Sequence, residues 1–270
     1  MQIFTIFAFK FVMKNIFMNE KPLILVSNDD GYQAKGMNSL LQVLREFGDV
    51  IAVAPHTGRS GKGCAITSET PIRAKLVSSE PGLDIYSCTG TPCDCVKLAC
   101  HAIVPRTPDL VIGGINHGDN SAVNAHYSGT MGVVMEGCMK GIPSIAFSLC
   151  SHDADADFTP TFGVIRKIVP MVLERGLPYG SCLNVNFPDV PSYKGVKVCR
   201  QAYGRWVNEW AAHDHPRGGQ WWWLTGDFVV DDNDGDADRV ALDNGYVAIT
   251  PTRIDLTDYA LLEEMQGWGL

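Results

Sequence analysis

An α/β fold with a mostly parallel sheet is predicted by three observations. Short apolar runs without polar alternation recur, as in Leu23-Ile24-Leu25-Val26 and Val50-Ile51-Ala52-Val53-Ala54. Strands of that kind are covered on both faces, as in parallel sheets. Between them lie stretches with apolar residues at helical spacing, the first being Met37, Leu40, Leu41, Leu44 and Phe47. Each such strand–helix–strand unit takes about thirty residues, the size of a right-handed βαβ crossover. After Gly180 the character changes to short strand-like pieces and an aromatic, Gly-rich stretch.

The elements follow in order. The first strand stops at Asn28-Asp29-Asp30-Gly31, and the first helix is expected to end at Gly48. The second strand is closed by Pro55. Asp84 to Cys88 reads as a strand, and Pro92 to Ala102 as a helix with Thr91 as its cap. Asp109-Leu110-Val111-Ile112 is a strand running into Gly113-Gly114-Ile115-Asn116. Gly129 to Lys140 is a helix rich in small residues, Ser144 to Leu149 a strand, and Phe162 to Arg175 a helix. Beyond Gly180, Leu183 to Phe187 and Val196 to Val198 are strand-like. Tyr203 to Phe228, with Trp206, Trp210 and Trp221-Trp222-Trp223, reads as a hairpin-rich arm. Six Asp residues between Asp227 and Asp238 read as a solvated acidic loop. The run Asp231-Asp232-Asn233-Asp234-Gly235 is not a calcium loop. Placing Gly235 sixth would put Val230 where the first carboxylate belongs. Gly245 to Thr250 is a late strand and Thr257 to Gln266 a terminal helix. The expected division is an N-terminal extension over 1–21, a Rossmann-like α/β core over 22–180, and an arm with a helix over 181–270.

The chain has 270 residues, with 22 Lys and Arg against 30 Asp and Glu, a net charge of −8. No basic stripe is present to neutralise a phosphate backbone, which argues against a nucleic-acid duplex as partner. An acidic protein that handles a phosphate needs a cation or a focused cluster of amides. The nine cysteines, an odd number, fit a reducing compartment and a cytoplasmic location. Cys88, Cys93, Cys95 and Cys100 lack the paired spacing of a zinc ribbon and read as buried or idle thiols. Lys10 and Lys14 interrupt the apolar first twenty residues and no small-residue cleavage site follows, so a signal peptide is not expected. The apolar stretches there are too short to span a bilayer.

In an open parallel sheet, ligands bind beyond the carboxyl ends of the strands. Unusual polar residues fall there three times: Asn28-Asp29-Asp30-Gly31, His56 to Gly63, and Gly113 to Asn120. Two adjacent carboxylates leaving a buried strand need positive compensation. They either cap a helix or form an Asx turn, or they hold a hard cation. The coincidence of three strand ends favours the cation. Asp29 and Asp30 would supply charge, with the Ser60 hydroxyl and Asn116 amide oxygen completing a partial oxygen cage suited to Mg²⁺ or Mn²⁺. Gly58, Gly61 and Gly63 serve either as turn residues or to aim backbone N–H groups at an anion. Neither a P-loop nor a dinucleotide fingerprint follows the first strand.

With these residues assembled, the chain resembles the SurE family of metal-dependent nucleotidases. The resemblance rests on Ile24 to Gly31, Arg59-Ser60-Gly61, Gly90 to Val96, Gly114 to Asn120, Tyr127-Ser128-Gly129-Thr130, Met135-Glu136-Gly137 and Gly245 to Pro251. It implies a three-layer α/β/α sandwich with a C-terminal hairpin and helix arm. It implies one divalent metal per subunit at Asp29, Asp30, Ser60 and Asn116, and a phosphate held by Gly61, Asn120, Ser128, Gly129 and Thr130. It also implies a homodimer or homotetramer with exchanged arms, and nucleoside 5′- and 3′-monophosphates, with short polyphosphate, as substrates. Gly113 and Cys93 depart from the residues common in the family, and the Trp- and Asp-rich arm diverges from it.

The expected chemistry is phosphate monoester hydrolysis, with Asp29 or Asp30 orienting the attacking water or accepting its proton. Direct attack by a carboxylate on phosphorus is the other route. His117 and His126 are secondary acid candidates, and Arg59 and Lys62 either attract substrate or are solvated. The alternative function is nucleotide binding without hydrolysis.

Overall fold

The structure, a computed structural model, describes residues 20–269. A single nine-stranded sheet organises it, in the order β3-β4-β2-β1-β5-β6-β7-β13-β8. Its central strands are β1 (Leu23–Ser27), β2 (Asp49–Pro55), β4 (Leu83–Cys88), β5 (Leu110–His117), β6 (Ser144–Leu149) and β7 (Ser181–Phe187). These six pair parallel with one another. The antiparallel edge strand β3 (Ala74–Glu80) lines one side, and β8 (Val196–Val198) and β13 (Val247–Arg253) extend the other.

The unalternating apolar runs are explained by cover on both faces. In β1, Ile24 and Val26 join one buried cluster and Leu23 and Leu25 the other. The first cluster packs under α1 (Lys35–Leu44) and α4 (Phe162–Arg175) through Met37, Leu40, Leu44, Ile165 and Val169. The second packs under α2 (Pro92–Leu98) and α3 (Gly129–Met139) through Val96, Met131, Val133 and Val134. The result is the expected three-layer α/β/α sandwich.

Two boundaries and one strand differ from expectation. The sheet does not stop near residue 180, because β7 continues it beside β6 and β13 pairs with β7. Helix α1 ends at Leu44, before Gly48. A Cβ on Gly48 would fall 2.1 Å from the Pro22 carbonyl oxygen, so that glycine serves a close backbone approach to β1. Strand β3 carries mostly exposed residues and has no buried face to give it a pattern. Of the expected extension 1–21, only Glu20 and Lys21 lie within the described residues.

The aromatic arm is built from two antiparallel ladders, β9 (Gly204–Val207) with β12 (Asp227–Val230), and β10 (Trp210–Asp214) with β11 (Gln220–Leu224). The acidic stretch is less solvated than its sequence indicates. Arg200 pairs with Asp232, Asp234 and Asp236, and Asp232 is buried. Asp238 begins a short helix, α5 (Asp238–Asp243), and is fully buried. The last helix is α6 (Tyr259–Met265). Among the described residues, no helix is long and apolar enough to cross a membrane.

Candidate active site

The chain leaves β1 toward β2 on one side, and β5 flanks β1 on the other. The carboxyl end of β1 is therefore the point where connections diverge, the place where open α/β sheets bind ligands. Asn28, Asp29 and Asp30 leave the sheet here. Asn28 clamps the turn: its Nδ2 donates to the Gly31 carbonyl at 3.0 Å and its Oδ1 accepts from the Gly31 amide at 3.2 Å. Gly31 has φ +106°, which L side chains rarely adopt.

Asp29 is buried against the start of α3. The Thr130 hydroxyl donates to its Oδ1 at 2.6 Å and the Gly129 amide to its Oδ2 at 3.2 Å. The positive end of the helix thus faces a carboxylate. A Cβ on Gly129 would lie 2.6 Å from the Asp29 Cβ, so only glycine permits this approach. Ser128 caps the same helix, its Oγ accepting from the Met131 amide at 3.0 Å. Gly129 and Thr130 therefore seat Asp29, and Ser128 orders the turn beside them.

Asp30 accepts from the His117 amide at 3.2 Å, which links it to the end of β5. Asn116, buried on β5, donates both hydrogens of its amide, to Gly118 O at 2.7 Å and His117 O at 3.2 Å. That fixes the orientation of the amide and leaves its Oδ1 as an acceptor.

The turn carrying Ser60 and Gly61 is tethered at both ends. The Arg59 amide donates to the Asp29 carbonyl at 2.6 Å, and the Gly63 amide to the Tyr127 carbonyl at 3.0 Å. Ser60 and Gly61 themselves are exposed. The four expected metal ligands thus come from the ends of β1 and β5 and from a turn bound to the Asp29 backbone.

The electrostatics of this corner disfavour two bare carboxylates unless a positive charge compensates them. Burial pushes the Asp29 carboxyl above the usual range, and the hydrogen bonds from Thr130 and Gly129 offset only part of it. Burial, and then the charge of Asp29, push Asp30 up to about 6, while His117 and His152 pull it down. Among the described residues no Lys or Arg forms an ion pair with either carboxylate. Two carboxylates, an amide oxygen and a hydroxyl would make a hard, all-oxygen donor set, the chemistry that suits Mg²⁺ or Mn²⁺.

Asn120 lies beyond β5 in a buried amide network. Its backbone N–H donates to Asn186 Oδ1 at 2.8 Å and its Nδ2 to Ser148 Oγ at 2.8 Å. Asn184 Nδ2 donates to the Asn120 carbonyl at 2.8 Å, and Asn186 Nδ2 to Asn184 Oδ1 at 2.9 Å. Sequence reasoning missed Ser148, Asn184 and Asn186. The available signal was two amides at alternate positions of an otherwise apolar strand.

It also missed His152, whose ring is where a Cβ on Gly118 would fall, 2.5 Å from its Cε1. Of the histidines singled out, His117 sets its ring edge-on to Phe158 at 4.9 Å, while His126 is exposed and lies 3.5 Å from Gln201 Nε2. The nine cysteines are free thiols, and most are packed in the core.

Known proteins resemble this chain along nearly its whole length. The family model described as Survival protein SurE matches residues 24–208. The protein named 5′-nucleotidase SurE of Phocaeicola vulgatus is 59% identical over 252 residues, 93% of this chain and 98% of its own length. Its namesake in Bacteroides thetaiotaomicron is 56% identical over 251 residues, 93% of this chain and 97% of its own. The crystal structure of a SurE protein from Aquifex aeolicus superposes with a TM-score of 0.79 at 34% identity, covering 92% of this chain and all of that one. A strand-end carboxylate pair backed by a helix start, on a matching fold and with relatives of this identity along nearly the whole chain, places the protein in the SurE family.

Proposed function

We propose that this chain is a phosphomonoesterase acting on nucleoside 5′-monophosphates, with 3′-monophosphates and short polyphosphate as further substrates and one Mg²⁺ or Mn²⁺ per subunit. The observation that carries the reading is the pair Asp29 and Asp30, raised by burial and unpaired by Lys or Arg among the described residues, in a chain whose relatives are named 5′-nucleotidase. Asp29, Asp30, Ser60 and Asn116 would hold the ion. Once bound, it would neutralise phosphate oxygens and lower the pKa of a coordinated water.

The remaining steps belong to the protein. Thr130 and Gly129 hold Asp29 in one orientation, so the carboxylates do not reorganise during reaction. Asp30, on the more open side, orients water or accepts its proton. The N–H groups around Ser60 and Gly61, together with Asn120 and Ser128, receive the phosphate.

The test is phosphate release from a panel of 5′- and 3′-mononucleotides and polyphosphate, with and without EDTA, for the wild type and Asp30→Asn. Release that is abolished by chelation and by the substitution supports the proposal. Release that survives EDTA refutes the metal's role, and tight AMP binding without release leaves a nucleotide-binding protein.

We further propose a homodimer or homotetramer with exchanged arms, working in a reducing cytoplasm. Trp221, Trp222 and Trp223 are 56%, 58% and 61% exposed, and Leu224 is 70% exposed. A tryptophan carries about 150–250 Å² of surface. At ~25 cal/mol per Å², covering its exposed half stabilises by about 2–3 kcal/mol.

A further inference from the structure

The 3₁₀ turn Ala122–His126 joins two expected phosphate-binding residues, Asn120 and Ser128. Its far end is tied to Gly63, whose amide donates to the Tyr127 carbonyl, and its near end is held by residues that follow position 200. Asp238 is fully buried, and both of its oxygens accept from the Ala122 amide, at 3.1 and 3.3 Å. The same carboxylate accepts from the Ala202 amide at 2.9 Å, the Arg239 amide at 2.7 Å and the Thr250 hydroxyl at 3.4 Å. It therefore ties together the phosphate-site turn, the root of the arm and β13. Trp206 of β9 adds a second tether, its indole N–H donating to Asn124 Oδ1 at 2.9 Å. Arg239 reaches Asp119 at 3.5 Å, at the front of the segment. Ala122 has φ 49°, a conformation an L side chain keeps only where its surroundings impose it. Those surroundings include Ala202 and Ala237, both buried, with Phe228 of β12 packed against them.

We propose that Asp238 is a positioning residue: by holding Ala122 it sets the conformation of the segment between Asn120 and Ser128, and so couples substrate affinity to the seating of the arm. The proposal rests on the reading of Asn120 and Ser128 as phosphate-binding groups. Asp238 touches neither the paired carboxylates nor any expected metal ligand in the bonds just given. Its influence is accordingly on substrate binding more than on the ion.

Asp238→Asn is the sharpest variant. An amide has one oxygen where the carboxylate has two, so turning it to keep the Ala202 bond sets an NH₂ group against the Ala122 N–H. KM for AMP should rise about tenfold while kcat stays within about twofold, and competitive inhibition by inorganic phosphate should weaken in parallel. Trp206→Phe, which keeps the ring and removes only the N–H, should raise KM about threefold, and it carries the comparison if Asp238→Asn does not fold. Amide hydrogen exchange over residues 121–130 should quicken in both variants and stay unchanged in β1.

A fall in kcat with KM unchanged, or unaltered exchange over 121–130, would overturn the proposal, since a purely structural loss lowers the amount of active protein without moving KM. If the wild type releases phosphate from no nucleotide, the functional reading fails by itself. The exchange experiment then still decides whether Asp238 positions this segment.

Discussion

At the scale of single residues, the site depends on a few side chains whose partners fix them. Asp30 combines partial burial, a neighbouring carboxylate and a single backbone donor, a setting that suits the proton-handling role proposed for it. Asp30→Asn should lower kcat for AMP by about 10²–10⁴ while the fold is kept, checked by phosphate release and circular dichroism. Gly129 is constrained by space alone. With the Asp29 Cβ 2.6 Å from where its own Cβ would stand, Gly129→Ala must push α3 away from Asp29. The expected cost is about 1–3 kcal/mol in urea denaturation, with most activity lost. This position shows how far the site was legible. The sequence motif marks Gly129 as belonging to the site, but the contact with Asp29, 100 residues earlier, exists only in the fold.

At the scale of elements, caps and tethers decide where segments begin and end. Helix α2 starts with a reciprocal capping box. Thr91 Oγ1 accepts from the Asp94 amide at 3.1 Å, and Asp94 Oδ2 accepts from the Thr91 amide at 2.9 Å. Thr91→Ala should destabilise by about 1 kcal/mol, read as a lower urea midpoint with an unchanged slope. The cap was visible in the sequence because it is local. The acidic stretch was not, because its compensation is distant. Arg200 holds the Asp232 carboxyl well below its ordinary value of 3.8. A depressed carboxyl contributes stability that is present above its unfolded value and is lost as pH falls toward the folded one. The Tm advantage of the wild type over Asp232→Asn should therefore be full at pH 6 and shrink below about pH 4. An advantage that grows in acid would contradict the assignment. Strand β3 was missed for a related reason: an edge strand with exposed residues carries neither alternation nor a continuous apolar run.

At the scale of the molecule, the sheet and the arm make different demands. The sheet buries its apolar runs under two helical layers within one chain. The arm leaves Trp210, Trp221, Trp222, Trp223 and Leu224 each more than half exposed, apolar area that the proposed association of subunits would cover. Light scattering coupled to size exclusion should give a dimer or tetramer for the wild type. Replacing Trp221 and Trp223 by Ser should shift it toward the monomer at micromolar concentration. A monomeric wild type would refute the exchange of arms and leave the chemistry of the carboxylate corner untouched, because Asp29, Asp30 and Asn116 all come from one chain.

By itself the sequence determined the layered α/β class, most of the core elements and the identity of the polar residues at three strand ends, because hydrophobic period, turn residues and motif order are local properties of the chain. Only the tertiary structure decided that β7 and β13 continue the sheet, that Gly129 and Thr130 grip Asp29, and that two aspartates of an apparently solvated run, Asp232 and Asp238, are buried and bonded. The physical reason is common to all three. A carboxylate, an amide or a strand edge is assigned its role by its partner, and these partners lie dozens of residues away, where composition and spacing carry no signal.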